Sequence, residues 1–82
     1  MNYIITFGTT TAALKCDSAI KATPINAKLI PIPTFLKAGC GFACLFENVQ
    51  KKEVESWIST NNISYDQLLE VKHENGKITP VT

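Results

Sequence analysis

Cys40 lies between two glycines in the stretch LKAGCGFACLF, residues 36–46, which carries no charge after Lys37. Two interpretations of this cysteine are open. In the first, the glycines display Cys40 in a loop, where its thiol can act as a nucleophile. In the second, they form a tight corner before a buried strand, since glycine is common in turns and free cysteine is among the most buried residue types. The residues alone do not decide between a reactive thiol and a structural one.

The other two cysteines are predicted to be core residues. Cys44 lies in the apolar segment FACLF, and Cys16 lies on the apolar stripe of a predicted helix. Four residues of extended strand span about 13 Å, whereas a disulfide needs Cα atoms within about 7 Å, so we expect no bridge between Cys40 and Cys44. If the segment is not extended, Cys44 could act as a resolving thiol instead. Three cysteines are an odd number, which excludes a fully paired disulfide framework.

Other kinds of site find little support in the sequence. The spacing of CGFAC and the distant His73 do not make a four-ligand zinc pattern, so we expect no metal. His73 stands next to a predicted turn and is expected to be a solvated surface residue. The carboxylates have no histidine or second acid in an evident catalytic arrangement, and no phosphate-binding glycine motif occurs. We therefore expect no cofactor.

Length and charge limit the classes of protein. The chain has 82 residues, 45% of them hydrophobic and 18% charged, with a net charge of +1, which predicts one globular domain. This balance favours neither nucleic-acid binding nor a membrane surface. The apolar run near the start has no basic residue before it and is too short for a signal peptide, and no segment approaches the roughly 18 apolar residues of a membrane helix. We expect a soluble cytoplasmic protein.

The alternation of apolar residues and the turn signals predict five strands and two helices. The first helix follows Gly8 and runs through residue 22, and one of Thr9, Thr10 and Thr11 is expected to cap it. The predicted strands are residues 2–7, 26–32, 42–46 and 63–71, with a short fifth strand ending at Pro80, and the second helix is residues 47–62.

Prolines and a hairpin signal indicate where the strands lie in the sheet. Pro31 and Pro33 lack the N–H that a ladder needs on that side, which places the second strand at an edge. The Asn75-Gly76 pair is the strongest short-range signal for a two-residue hairpin turn. The last strand is therefore expected to fold back along the sheet, the alternative being a frayed tail.

The element order β-α-β-β-α-β predicts an α+β protein of the ferredoxin-like type. In this fold two helices cover one face of an antiparallel sheet. An extra C-terminal strand could extend the sheet at one edge. We predict a single α+β domain at residues 1–72, followed by a hairpin or tail at residues 73–82. In this arrangement the first and third strands are antiparallel neighbours in the middle of the sheet.

This topology places Cys40 beside the GTTT segment that opens the first helix. The free backbone N–H groups and the dipole of a helix N-terminus favour an anion, and a thiolate is the nucleophilic form of cysteine. Gly39 and Gly41 can adopt backbone angles that turn successive N–H groups toward one anion. We therefore predict an anion-binding site of Gly39, Gly41, Thr9, Thr10 and Thr11 around a catalytic Cys40.

Three stretches carry a resemblance to a known family: YIITFGTTTAALKCDSAIKA, AKLIPIP and AGCGFA. In this order they resemble the putative selenium or sulfur carrier-like proteins, small bacterial domains of unknown function, and the resemblance covers about residues 2–71. It implies that Cys40 carries sulfur or selenium as a persulfide or selenopersulfide. Family members often have basic residues where this chain has Thr34 and the apolar CLF, which leaves Lys37 as the nearby cation. If those basic groups bind an anionic donor or a protein partner in other family members, this binding is weaker here or depends on other residues.

The sequence thus supports two hypotheses about function. In the first, the protein is a carrier rather than an enzyme that turns over a small substrate, and Cys40 receives the atom from a donor protein and passes it to an acceptor protein. In the second, it is a non-catalytic protein-interaction or small-ligand-binding module in which Cys40 is structural. An apolar loop, PIPTFL, would favour the module if its side chains are exposed together.

Overall fold

The computed structural model describes residues 1–36 and 40–81. Within them, two helices and five strands form an α+β fold, which confirms the predicted class, and the strands pair antiparallel in the order β2-β3-β1-β4-β5. In chain order the elements are β1 (Asn2–Thr6), α1 (Thr10–Ala22), β2 (Ala27–Pro31), β3 (Phe42–Phe46), α2 (Lys51–Thr60), β4 (Leu68–Glu74) and β5 (Lys77–Pro80).

The centre of the sheet is the pairing of β1 with β3. Ile5 lies opposite Cys44 and Ile4 lies opposite Leu45, and all four side chains are almost completely buried. Because successive side chains of a strand point to opposite faces, burial of both Ile4 and Ile5 means that both faces of β1 are covered. The prediction that the first and third strands are antiparallel neighbours in the middle of the sheet is confirmed.

Both helices pack on one face of the sheet. Trp57 of α2 is the largest side chain there: its ring meets that of Phe46 edge to face at 5.7 Å between centroids, and its Nε1–H donates to the carbonyl oxygen of Thr23 at 2.8 Å. The buried residues of this cluster are Tyr3, Ile5, Phe7, Ala13, Cys16, Cys44, Phe46, Val49, Val54, Trp57, Ile58 and Ile63.

A second, smaller cluster covers the opposite face of the sheet. Its buried members are Ile4, Ala43, Leu45 and Val71. Partly buried side chains complete it, among them those of Ile32 and Leu36 from the segment after β2 and that of Ile78 from β5. The segment 32–36 and the C-terminal strand therefore provide the apolar cover that this face would otherwise lack.

Two predicted boundaries are wrong. The second helix begins at Lys51 rather than at residue 47, because Asn48 has a φ of 54° and Gln50 forms a capping box with Glu53. The fourth strand begins at Leu68 rather than at residue 63. Before it, the backbone N–H groups of residues 66 and 67 bond to the carbonyl and hydroxyl oxygens of Thr6, so the chain is tied to the end of β1 before it enters the ladder.

The predicted hairpin forms, and the frayed-tail alternative does not. Asn75 and Gly76 have φ values of 51° and 75°, the left-handed angles that a two-residue turn of this kind requires. The turn pairs Glu74 with Lys77 and makes β5 the edge strand next to β4. In the described part of the chain, neither helix is long and apolar enough to span a membrane.

Replacing Trp57 with phenylalanine should lower the free energy of unfolding by about 1–3 kcal/mol, because the Thr23 carbonyl loses its donor while the aromatic packing largely stays. Urea denaturation measures the change. Tyr65→Phe is the matched control, since that side chain is 44% exposed and its hydroxyl removal should change stability by less than about 0.5 kcal/mol. Equal effects of the two substitutions would contradict the role assigned to the Trp57 hydrogen bond.

Candidate functional site

Cys40 lies where the end of β1 meets the start of β3. Its Sγ is 3.5 Å from the carbonyl oxygen of Phe7, which follows β1, and 3.5 Å from that of Phe42, which opens β3. Since Phe7 precedes the helix cap Thr9 by two residues, the thiol lies close to the connection between β1 and α1. The side chain is half-buried and packs against the helical-face cluster.

The two partner atoms of Cys40 Sγ are carbonyl oxygens, which are hydrogen-bond acceptors, so an S–H at this position can donate to one or the other. Among the described residues, no N–H donates to Cys40 Sγ. The resting thiol is thus held by carbonyl groups, and a thiolate at this place would have to turn away from them before N–H groups could stabilise it.

The three threonines lie at the start of α1 as the sequence predicts. Thr9 is the cap: its Oγ1 accepts the N–H of Ala12 at 3.2 Å. Thr10 and Thr11 belong to the first turn, whose N–H groups have no acceptor within the helix. All three are exposed. The contribution of this turn to anion binding at Cys40 stays a prediction.

A shallow cavity of about 350 Å³ adjoins the helix start, lined by Gly8, Thr9, Ala12, Ser64, Tyr65 and Asp66. Its polar atoms include hydroxyl groups and one carboxylate, that of Asp66. A carboxylate at this place opposes an anion, whereas the helix dipole favours one. The electrostatics of the cavity are therefore mixed.

Gly41 turns the chain between Cys40 and β3. Its φ of 75° lies in the left-handed region, and a Cβ built on it would meet nothing within 4 Å. Its carbonyl oxygen accepts the N–H of Ile32 at 2.9 Å, which continues the pairing of β2 with β3. Gly41 thus adopts a left-handed angle beside Cys40, while its contribution to anion binding stays a prediction, and Gly39 lies outside the described residues.

Cys16 and Cys44 are buried free thiols in the helical-face cluster, as predicted. Interaction with the neighbouring Cys16 thiol and burial raise the pKa of Cys44, while interaction with the Cys44 thiol lowers the pKa of Cys16 against the opposing effect of burial. Neither side chain is open to solvent, so neither can meet an external reactant in this conformation.

The interpretation of His73 as a solvated surface residue is wrong. Its side chain is only 25% exposed, and its Nδ1 lies 3.2 Å from Oε2 of Glu47, whose Oε1 lies 3.7 Å from Lys28 Nζ. The three residues come from β2, the end of β3 and β4, and no sequence spacing indicates that these strands meet. They lie at the opposite end of the sheet from Cys40. Within the described residues, no group of three or more histidines, cysteines and carboxylates could hold a metal.

Comparison with known proteins identifies the family. A family model described as "Putative Se/S carrier protein-like" matches residues 2–70, which is most of the chain. The chain belongs to this family. No curated protein and no solved structure gives a significant match. The match includes Cys40 and both of the elements that hold it, and it stops within β4, before the hairpin that carries β5.

Gly41→Ala should lower the free energy of unfolding by about 1–2 kcal/mol, because a left-handed backbone strains any residue with a Cβ. Gly8→Ala is the matched control: it also has open space around a new Cβ, without a left-handed φ, and should change stability by less than about 0.5 kcal/mol. Urea denaturation of both variants measures the difference. Equal losses would mean that the angle at Gly41 is not a constraint.

The Cys16 and Cys44 pair should make stability fall above pH 9.0, the ordinary pKa of a cysteine thiol. A raised folded-state pKa at Cys44 gives stability that is present below the unfolded value and is lost as the pH rises, at up to about 1.4 kcal/mol per pH unit. The lowered pKa of Cys16 gives stability that is fully present above pH 9.0 and is lost as the pH falls below it. It therefore does not change the slope expected above pH 9.0.

Urea denaturation between pH 9 and 10.5 checks this expectation in the wild type and in the double variant Cys16→Ala/Cys44→Ala. Lysine and tyrosine titrations are common to both proteins, so the difference between the two proteins in how the free energy of unfolding changes with pH isolates the cysteine pair. This free energy should fall more steeply in the wild type, and equal slopes would contradict the raised pKa of Cys44.

Proposed function

We propose that this protein carries one sulfur or selenium atom on Cys40, as a persulfide or selenopersulfide, between a donor and an acceptor protein. One observation carries the proposal: of the three thiols in the chain, that of Cys40 is the one that solvent reaches, while Cys16 and Cys44 are completely buried. Membership of the carrier-like family supports it. The role is that of a stoichiometric carrier, and its chemistry requires no cofactor.

Transfer is a thiol exchange in two balanced steps. The Cys40 thiolate attacks the outer sulfur of a donor persulfide R–S–SH, a new S–S bond forms on Cys40, and the bond to the donor breaks as R–S⁻ leaves. In the second step an acceptor nucleophile attacks that outer sulfur, and Cys40 leaves as a thiolate. No net oxidant is consumed, because the transferred atom keeps its oxidation state.

The resting and reacting states of Cys40 need different partners. The carbonyl oxygens of Phe7 and Phe42 hold the S–H of the resting thiol. We infer that the N–H groups of Gly39–Gly41 and of Thr9–Thr11 stabilise the anion once the side chain turns away. A terminal sulfur about 2 Å beyond Sγ would extend from this half-buried position toward solvent, where a partner can reach it.

We further infer that the fold is a ferredoxin-like domain of residues 1–72, with the hairpin of residues 73–82 as its extension. Two features support this: both helices pack on one face of the sheet, and β1 pairs with β3 in its middle. Ile78 of the extension packs against the smaller cluster, so the extension contributes to the core of the domain it follows.

A second candidate function is the interaction module in which Cys40 is structural. A groove of about 500 Å³ favours it, lined on one side by residues 31–35 and on the other by β5. Phe35, 38% exposed, lies on this groove. Of the apolar loop, however, Ile32 and Leu36 are partly buried against the sheet, so its side chains are not exposed together.

Incubation with glutathione persulfide followed by intact-protein and peptide mass spectrometry separates the two functions. The carrier should gain about 32 Da on the peptide that contains Cys40, and the adduct should be released by a thiol. Cys40→Ser should not gain it, whereas the control variants Cys16→Ala and Cys44→Ala should. A wild type that gains no adduct, or a Cys40→Ser variant that gains the same adduct, would leave the module as the better hypothesis.

A further inference from the structure

The seven aromatic side chains divide into two groups. Four are buried in the helical-face cluster, and they are Tyr3, Phe7, Phe46 and Trp57. The other three, Phe35, Phe42 and Tyr65, are 38%, 41% and 44% exposed. Exposed aromatic rings are costly to hydrate and are enriched where proteins contact partners. Their positions around the fold therefore indicate where a partner could bind.

Two of the exposed aromatic residues belong to segments next to Cys40. Phe42 is two residues away, and its carbonyl oxygen lies 3.5 Å from Cys40 Sγ. Tyr65 lines the cavity with Gly8 and Thr9, the residues that follow the second carbonyl partner of Cys40, Phe7. We call Phe42 and Tyr65 the aromatic rim. Phe35 faces a different place, the groove it shares with β5.

The described loops at the end of the sheet that carries the rim have little charge. In the described loops there, residues 7–9, 32–36, 40–41 and 63–67, the carboxylate of Asp66 is the single charged group. The ion pairs of the structure lie elsewhere, with Lys28, Glu47 and His73 at the far end of the sheet. A partner surface with acidic groups would meet Asp66 unfavourably, and an uncharged apolar surface would not.

The depth of Cys40 limits what can reach it. The thiol is half-buried, so the incoming sulfur must be carried by a side chain, and the residues that neighbour this side chain can contact the rim. A cysteine persulfide in an extended peptide segment satisfies this condition, because its flanking residues lie on either side of the sulfur. Apolar flanking residues would bury surface against Phe42 and Tyr65 as the sulfur approaches.

We propose that the aromatic rim selects donors and acceptors whose reactive cysteine is set between apolar residues of a protein segment. The inference rests on the carrier function of Cys40 and adds the class of partner that the site accepts. The transfer step is unchanged: the Cys40 thiolate attacks the outer sulfur, and the thiolate of the partner cysteine leaves. The rim contributes by holding the segment while this exchange takes place.

Two synthetic peptides test the proposal on the full-length protein. Both carry one cysteine persulfide, flanked by leucines in one peptide and by serines in the other, so that charge is the same in both. Single-turnover loading of Cys40 is followed by mass spectrometry. The leucine peptide should load Cys40 about five- to tenfold faster, the effect expected from partial burial of two leucine side chains.

Threonine variants test which aromatic side chains cause the faster loading by the leucine peptide. Phe42→Thr and Tyr65→Thr should each reduce the leucine-to-serine ratio toward one, and Phe35→Thr is the matched control, an aromatic of similar exposure on the groove, which should keep it. Circular dichroism confirms that each variant is folded. Equal loading of both peptides, or loss of the preference in Phe35→Thr alone, would overturn the rim proposal while leaving the carrier function intact. Failure of both peptides to load the wild type would instead overturn the carrier function itself.

Discussion

The pairing of β1 with β3 is the constraint on which the rest of the structure depends. It sets Ile5 opposite Cys44 and Thr6 opposite Ala43, so the residues just beyond this register, Phe7 on one strand and the segment from Cys40 on the other, emerge side by side. Both strands are covered on both faces, and a slip of one residue would move every side chain to the opposite face, where it would meet the wrong packing partners. The position of the Cys40 thiol is thus fixed by the pairing of the two central strands.

Much of this could be predicted from residue patterns because the responsible signals are local. β-branched runs, Thr9 before a helical stripe and the Asn75-Gly76 pair act through backbone conformation, which a short segment largely determines. The start of β4 could not be predicted in this way. Ile63 fits the alternation of a strand, yet its side chain is buried beneath the end of α2, and bonds to Thr6, 60 positions earlier, delay the ladder.

The same distinction applies to the candidate site. The topology was sufficient to predict that Cys40 would lie close to the connection between β1 and α1. This prediction requires only that the first and third strands are neighbours in the sheet. The hydrogen-bond partners of the thiol were not predictable, because they are carbonyl groups whose direction depends on the turn at Gly41 and on the backbone after Thr6. The contact of Glu47 with His73 could not be predicted for a related reason, since it joins two segments that are distant in sequence.

The prolines in the two outer strands have a consequence for the protein in concentrated solution. Pro31 lies in β2 and Pro80 in β5, and these strands form the two margins of the sheet. A proline cannot donate a backbone hydrogen bond, so each margin lacks one of the donors that a further strand would need. The sheet is poorly suited to grow by addition of strands from other copies, so a protein that exposes the aromatic rings of Phe35, Phe42 and Tyr65 is protected from polymerising along its own sheet edges.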